Sequence, residues 1–276
     1  MKKPIFFGLH ADPTKKIRIV LALIPFIILV SAYLIASDLR NKENPDDKLL
    51  PTISKMVASV EKLAFTENKR TGEYILWQDT AASLKRLITG VGLAAICGLL
   101  LGLNMGMYKG ISAVTSPFIT FISMIPPLAI LPILFISFGV GELGKIVLIF
   151  LGVFPIITRD IYLATGKIPR EQVVKALTLG ASGFTIVYRI ILPQIFPRLI
   201  DTVRLSLGSA WLFLIASEAI AATEGLGYRI FLVRRYMSMD TIIPYVLWIT
   251  ALGFLMDYLL RMLVKKKFNW YLPQVK

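Results

Sequence analysis

The chain has 276 residues, of which 56% are hydrophobic and only 17% are charged. A soluble domain carries roughly 25% charged residues, so this composition excludes an ordinary soluble protein and indicates a large lipid-facing surface. The formal net charge of +14 would suit nucleic acid, but the basic residues lie in short connectors beside apolar segments, where they set membrane orientation. We therefore expect a lipid membrane, and no nucleic acid, as the partner.

Six apolar segments are long enough to cross the hydrocarbon core, which takes about 20 helical residues. They predict an all-α, polytopic membrane protein with six transmembrane helices, at residues 19–36, 87–107, 117–138, 143–165, 205–222 and 242–260. The first segment has the length of a signal peptide, but no convincing small-residue cleavage site follows, so we interpret it as a retained helix. The third helix is expected to kink because it contains Pro126, Pro127 and Pro132.

The distribution of Lys and Arg predicts the orientation. The tail before the first helix, the connector 159–204 and the segment after the last helix are all basic, whereas acids nearly balance bases in the connector 37–86. Six spans put the three basic segments on one side, which must be the cytoplasm. The sequence therefore predicts a multi-pass membrane protein with cytoplasmic N and C termini.

These predictions divide the chain into three parts. Residues 1–86 hold the N-terminal tail, the first helix and an external connector, and residues 265–276 form a basic cytoplasmic tail. Between them, residues 87–264 form a five-helix core with a long cytoplasmic loop at about 166–198. In the external connector Pro51 precedes apolar residues at helical spacing, which indicates a short amphipathic helix that either packs on the protein or membrane surface or contacts an external binding protein.

Small residues recur along the second helix at four-residue steps. They are Gly90, Ala94, Gly98, Gly102, Gly106 and Gly110. A four-residue step keeps them on nearly one face, so a second helix can approach closely there. We predict tight helix packing at this stripe, above all at Gly98, Gly102 and Gly106.

The residues that usually carry chemistry are scarce. The only histidine, His10, and the only cysteine, Cys97, leave almost nothing for a His-based metal site and exclude an internal disulfide. We expect Cys97, inside an apolar segment, to be a packed and inert thiol. Residues 139–145 read G-V-G-E-L-G-K, like the start of a P-loop, but Ile146 stands where that motif needs Ser or Thr, and the segment is predicted to be external. We expect neither a catalytic residue nor a cofactor site in this chain.

The long cytoplasmic connector reads V-K-A-L-T-L-G-A-S-G-F-T-I-V-Y-R-I-I-L-P from Val174. It predicts a helix from Glu171, a turn near Gly180 and a second amphipathic helix that ends before Pro193. A basic helix-turn-helix of this kind, exposed between two spans, is shaped to dock on another protein.

Here the chain resembles the importer permeases of the binding-protein-dependent class. Their loop carries E-A-A, three residues, G, nine residues and I-x-L-P; this chain matches that spacing with Ala176, Gly180, Ile190, Leu192 and Pro193. Val174 and Lys175 replace the usual Glu and first Ala, which weakens the expectation of a specific polar contact there. The resemblance implies that this loop, with Ala181 and Ser182 at its turn, is the coupling helix that inserts into a cleft on an ATPase subunit.

Other segments resemble one branch of that class. I-P-P-L-A-I-L-P from Ile125, F-G-V-G-E from Phe138 and S-E-A-I-A-A-T-E-G-L-G from Ser217 are similar to permeases for taurine, alkanesulfonates, nitrate or bicarbonate. N-P-D-D-K-L-L-P from Asn44 and F-L-V-R-R-Y from Phe231 are closer to permeases associated with urea-carboxylase and guanidine utilisation. The resemblance implies an ATP-driven ABC importer of type I in the bacterial plasma (inner) membrane. Its partners would be ATPase subunits that carry ATP and magnesium, a second permease subunit in a homodimer, and an extracytoplasmic solute-binding protein.

Charged residues inside spans are costly and usually functional. Glu218, deep in the fifth helix, either lines the pathway or forms a structural hydrogen bond to a neighbouring helix. The other candidate pathway residues are Trp211, Ser217, Pro126 and Pro127. We expect Asp257 to pair with Arg261, one turn on, and Arg204 to extend to the cytoplasmic surface.

Two other functional classes remain as alternatives. A self-contained secondary transporter or channel often places several ionisable groups near the bilayer midplane, whereas this chain has Glu218 alone there. An intramembrane enzyme would need paired acids, a His cluster or an activated Ser, and the sequence contains no such constellation.

Overall fold

The computed structural model describes residues 14–44, 47–67 and 72–271. The basic N-terminal tail with His10, Pro45 and Asp46 of the outer-connector motif, and residues 272–276 lie outside the described residues. Across the described ranges the regular structure is entirely helical. The helices are α1 (Lys15–Glu43), α2 (Ile53–Phe65), α3 (Ile75–Met107), α4 (Lys109–Met124), α5 (Leu131–Phe138), α6 (Glu142–Gly166), α7 (Arg170–Thr178), α8 (Gly183–Thr185), α9 (Leu192–Ala221), α10 (Leu226–Arg234) and α11 (Met239–Lys267).

Five of the described helical segments are long and apolar enough to span a membrane, and α4 with the α5 region forms a bent sixth. The packing requires that this bent pair crosses the bilayer. Arg86 in the first half of α3 contacts Glu142 at the start of α6, and Gly106 near the end of α3 lies against Thr165 near the end of α6. Because α3 and α6 therefore run in the same direction, the chain between them must return across the membrane. The prediction of six spans is confirmed.

The third span differs from the single kinked helix predicted at 117–138. α4 begins at Lys109 and ends at Met124, and the chain then turns by 82° before the 3-10 turn Pro127–Ile130 and α5. Ile125 and Pro126 are extended, with ψ of 121° and 117°, because a residue that precedes proline is pushed out of the helical region. The two adjacent prolines thus break the span where one proline would kink it.

The fifth span is also longer than predicted. α8, a π-helical segment at Ile186–Ile191 and α9 follow one another without a break, so Gly183–Ala221 is one helical stretch of 39 residues. The prediction that the second amphipathic helix ends before Pro193 is wrong. The π-helical segment shifts the backbone hydrogen bonds immediately before Pro193, which has no N–H to donate, and the helix continues through it.

The glycine stripe of α3 lies against α6. A Cβ atom at Gly90, Gly98, Gly102 or Gly106 would come within 2.9 Å of an atom of α6 in every case, whereas Gly110 has open space around it. The stripe therefore packs the two helices backbone to backbone along most of their length. Cys97 lies on another face of α3 and is exposed, so the prediction of a packed thiol is wrong.

α1 and α2 sit at the periphery of this core. The most apolar 18-residue window of α1 has none of its residues buried, and α1 is tied to the following loop by Tyr33 Oη, which donates to the Pro51 carbonyl at 2.7 Å. α2 begins where the amphipathic helix of the connector was predicted, with the Thr52 side chain as its N-cap. Ser59 of α2 bonds to Thr241 of α11 at 2.8 Å. α2 therefore covers the end of the bundle at which α11 begins.

Candidate functional site

A buried ionic network lies at the end of the bundle where α3, α6 and α11 begin. Its centre is Arg86, whose side chain is 1% exposed. Arg86 forms two charge-assisted hydrogen bonds to Glu142, at 2.6 and 2.8 Å, and one to Glu218 at 2.7 Å. A further bond from Arg86 reaches the Glu224 carbonyl at 2.9 Å. The guanidinium therefore joins α3, α6, α9 and the loop after α9.

Glu218 is fully buried and its carboxylate is well satisfied. Besides the bond from Arg86, it accepts a hydrogen bond from Ser83 Oγ at 2.8 Å and one from the Gly227 N–H at 2.8 Å. A buried carboxylate is tolerable only when it is paired and hydrogen-bonded in this way. Glu218 thus forms a hydrogen bond to a neighbouring helix, which was one of its two predicted roles. Its charge is buried in the protein interior.

Asp79 holds a second part of the same network. Its carboxylate, fully buried, accepts hydrogen bonds from Arg229 at 2.8 Å, from Tyr245 Oη at 3.1 Å and from the Gly225 N–H at 2.9 Å. Gly225 has a φ of +126°, and a Cβ atom there would lie 2.6 Å from the Glu218 carboxyl carbon. The turn from α9 into α10 therefore needs glycine both for its backbone conformation and for space.

The sequence analysis missed Arg86 and Asp79 because it began the second span at residue 87. The structure starts α3 at Ile75, so the polar first three turns belong to the same helix as the apolar span. A signal was present, since Asp79, Ser83 and Arg86 recur at helical spacing on one face. Residues 139–145, which resemble a P-loop start, also join the network, because Lys145 is 3% exposed and its Nζ lies 3.0 Å from Glu142.

The other predicted pathway residues lie in two parts of the molecule: Trp211 and Ser217 share α9 with Glu218, and Pro126 and Pro127 lie at the break after α4. Trp211 is 6% exposed, and its Nε1 has no hydrogen-bond partner within the described residues. Ser217 is fully buried and donates to the Leu214 carbonyl. At the break after α4, Pro126 is exposed and Pro127 is half-buried. Among the described residues, no hydrogen bond or ion pair joins this break to Glu218. Two of the four candidates are therefore buried on the helix that carries Glu218.

The loop between α6 and α9 forms a compact helix-turn-helix. α7 ends in a Schellman motif: the Gly180 N–H bonds to the Leu177 carbonyl at 2.9 Å and the Ala181 N–H to the Ala176 carbonyl at 3.0 Å. Gly180 has a φ of +81°, the left-handed conformation that this motif requires and that glycine adopts without strain. Ser182 then caps α8 by accepting a bond from the Thr185 N–H at 3.2 Å.

The predicted coupling residues fall into two groups on this loop. The first group holds the loop on the core: Ala176 is buried, and Ala181, Ile190 and Leu192 are half-buried. The second group is exposed and consists of Val174, Lys175, Gly180, Ser182 and Pro193. The sequence analysis missed the most prominent apolar side chains. Leu179 is 87% exposed, Phe184 71% and Leu177 54%, beside Val174 at 56%. We name these four residues the apolar loop face.

An ion pair at the opposite end of the bundle corrects one prediction. Asp257 pairs with Arg204 of α9 at 2.9 Å, not with Arg261. Arg204 is also bound to Asp201 at 2.6 Å. Arg204 is therefore held between α9 and α11 by two carboxylates, and its side chain remains 20% exposed.

Comparisons with known proteins agree with this architecture. Residues 91–269 match the family described as "Binding-protein-dependent transport system inner membrane component". The taurine transport system permease protein TauC of Escherichia coli is 32% identical over 196 residues, which cover 71% of either chain. The bicarbonate transport system permease protein CmpB of Synechococcus elongatus is 32% identical over 187 residues, 66% of either chain.

Among solved structures, the fold is similar to a chain of the inward-facing MetNI methionine ABC transporter. The TM-score is 0.56 at 19% identity, and the match covers 69% of this chain and 96% of that one. This structural similarity shows only the fold. The family to which the chain belongs is shown by the family match and by the similar permeases. The chain belongs to the binding-protein-dependent transport system inner membrane components, and it is the inner-membrane permease subunit of an ABC importer.

Proposed function

We propose that ATPase subunits dock on the loop between α6 and α9 and drive transport through this chain. The observation that carries this proposal is the apolar loop face. Leu177 and Leu179 protrude from α7 and the turn after it, and exposed apolar patches of this kind mark protein–protein contacts. The exposed Lys175 beside them gives the face a positive charge. The basic connectors of the sequence support a cytoplasmic position for this loop and for both termini.

The continuous helix from Gly183 to Ala221 provides the mechanical link. Its α-helical part, the 30 residues of α9, corresponds to a rod of about 45 Å, at 1.5 Å per residue. One end of the rod lies in the loop, and the other end carries Glu218, which is bonded to Arg86. A push on the loop would therefore reach the ionic network on the far side as a rigid-body movement. In this mechanism the energy comes from ATP and magnesium on the partner, and two identical permease subunits form the pathway between them.

The alternative of a self-contained carrier finds less support in the structure. Such carriers use ionisable groups in the membrane that bind and release ions. Glu218 is bonded to Arg86, Ser83 and the Gly227 N–H, so its oxygens are already occupied. An ATP-driven permease needs no such free group.

Replacing Leu179 with Asp is expected to abolish copurification of the ATPase subunit. The side chain is 87% exposed, so the fold should tolerate the change, while a charge in an apolar contact costs several kcal/mol of binding energy. The measurement is the amount of ATPase recovered with the affinity-tagged permease. Phe65→Asp is the matched control, because Phe65 is 72% exposed on α2, away from the loop. Equal recovery with both variants would contradict the docking proposal.

We further propose that the solute is a small polar nitrogen- or sulfur-containing molecule delivered by an extracytoplasmic binding protein. Taurine and bicarbonate, named for two relatives, both carry a compact anionic group, which favours a small anion over a guanidine-like cation. We expect taurine, an alkanesulfonate, nitrate or bicarbonate to raise the melting temperature of the binding protein or of the assembled transporter, because a ligand of the folded state stabilises it. A shift with guanidinium alone would reject the anion.

A further inference from the structure

A groove of about 770 Å³ with several charged lining residues lies between α9 and α11 at the end of the bundle opposite the Arg86 network. Its walls carry Arg198, Asp201 and Arg204 from α9, and Arg261 and Lys265 from α11. The last two are four residues apart and therefore project from the same face of α11. The groove thus presents cations from two helices to one space.

The cations of α9 are already neutralised inside the protein. Arg198 pairs with Asp160 at 2.6 Å, and Arg204 pairs with Asp201 and Asp257. Arg261 and Lys265 are exposed. Within the described part of the chain, neither side chain forms a hydrogen bond or an ion pair. Counted together with Asp160, Asp201 and Asp257, the carboxylates that pair with the α9 cations, the four groove cations leave one net positive charge. A single phosphodiester would neutralise it.

The groove lies at the depth of a membrane–water interface. Lys265, Lys266 and Lys267 form the last turn of α11, and Trp270, beside Tyr271 with ring centroids 6.1 Å apart, lies just beyond it. Aromatic and basic residues at the end of a span occupy the headgroup level. Toward the apolar part of the span, the wall continues with Leu205, which is 79% exposed, and Tyr258, which is 50% exposed.

We propose that this groove binds the headgroup phosphate of an anionic phospholipid. Arg261 and Lys265 would bind the phosphate, and Leu205 and Tyr258 would contact the adjoining acyl chain. Basic pockets between transmembrane helices are known to select anionic headgroups for this electrostatic reason. The apolar continuation into the span is what favours a lipid over a soluble phosphate.

The test uses the intact purified transporter with its partner subunits. Binding of phosphatidylglycerol and of phosphatidylethanolamine is measured by native mass spectrometry for the parent protein and two double variants. Arg261→Gln with Lys265→Gln removes the two groove cations of α11. Lys266→Gln with Lys267→Gln is the matched control, because it removes two charges from the same helix end outside the groove. Melting temperatures without added lipid check that all three fold.

The parent protein is expected to prefer phosphatidylglycerol. The groove variant should lose about thirty-fold in affinity for it, from two basic residues near the surface, whereas the control should change by less than about three-fold. Equal losses in both variants, or no preference in the parent protein, would overturn the proposal. If millimolar inorganic phosphate displaced the lipid, the groove would be a site for free phosphate, and the lipid proposal would be wrong.

Discussion

An Arg86→Met permease is expected to be destabilised by about 3–5 kcal/mol, the usual cost of removing one partner of a buried ion pair. The substitution leaves the Glu218 carboxylate, which is 0% exposed, without its cation. It also removes two hydrogen bonds from Glu142, which then keeps only the one from Lys145 among the described residues. The loss falls at the junction of three spans and a loop, so we expect a sharply lower melting temperature and little folded protein in the membrane.

Lys85→Met is the control for this experiment. Lys85 precedes Arg86 on the same helix but is exposed, so its loss should change stability by no more than about 0.5 kcal/mol. Adding Glu218→Gln to Arg86→Met should recover part of the melting temperature, because it removes the uncompensated buried charge. If Arg86→Met melted like Lys85→Met, the network would not hold the bundle together.

A Gly102→Ala permease is expected to lose about 1–3 kcal/mol, the typical cost of overpacking. The added Cβ would lie 2.6 Å from the Thr158 backbone carbonyl and 2.9 Å from Ile161 Cβ. A backbone atom cannot rotate away as a side chain can, so α3 and α6 must separate. We expect a lower melting temperature and, because these two helices form the centre of the core, reduced transport.

Gly92→Ala tests whether the effect depends on the contact. Gly92 is on the same helix and a Cβ atom there meets nothing within 4 Å. Alanine is a better helix former than glycine by about 1 kcal/mol, so this control should be neutral or stabilising. Equal destabilisation by both substitutions would contradict close packing of α3 on α6 as the cause.

The parts of the fold that local sequence determines were predicted well. Apolar length indicated the spans, and the four-residue glycine step indicated the packed face of α3, because both depend on residues close together in the chain. The break after α4 was predicted only as a kink at Pro126 and Pro127. The effect of proline on the preceding residue is local, but whether a helix bends or breaks depends on the packing on either side.

The ionic network could not be predicted because its partners are distant in sequence. Arg86 and Glu218 are brought together only when α3 and α9 pack, and a buried charge gives no indication of its partner. The loop turn was predictable for the opposite reason. Its Schellman motif needs glycine at position 180, four residues after Ala176, and this requirement is visible as sequence spacing.

The central claim is that a separate ATPase drives this permease through the loop between α6 and α9, and site-specific cross-linking tests it most directly. Cys97 is the only cysteine, so Cys97→Ala provides a background in which Leu179→Cys or Phe65→Cys carries the only thiol. A thiol-attached photo-cross-linker is activated in membranes that contain the assembled transporter. The account predicts a covalent product between the permease and the ATPase from position 179 and none from position 65. Absence of that product at 179, or equal yields from both positions, would contradict it.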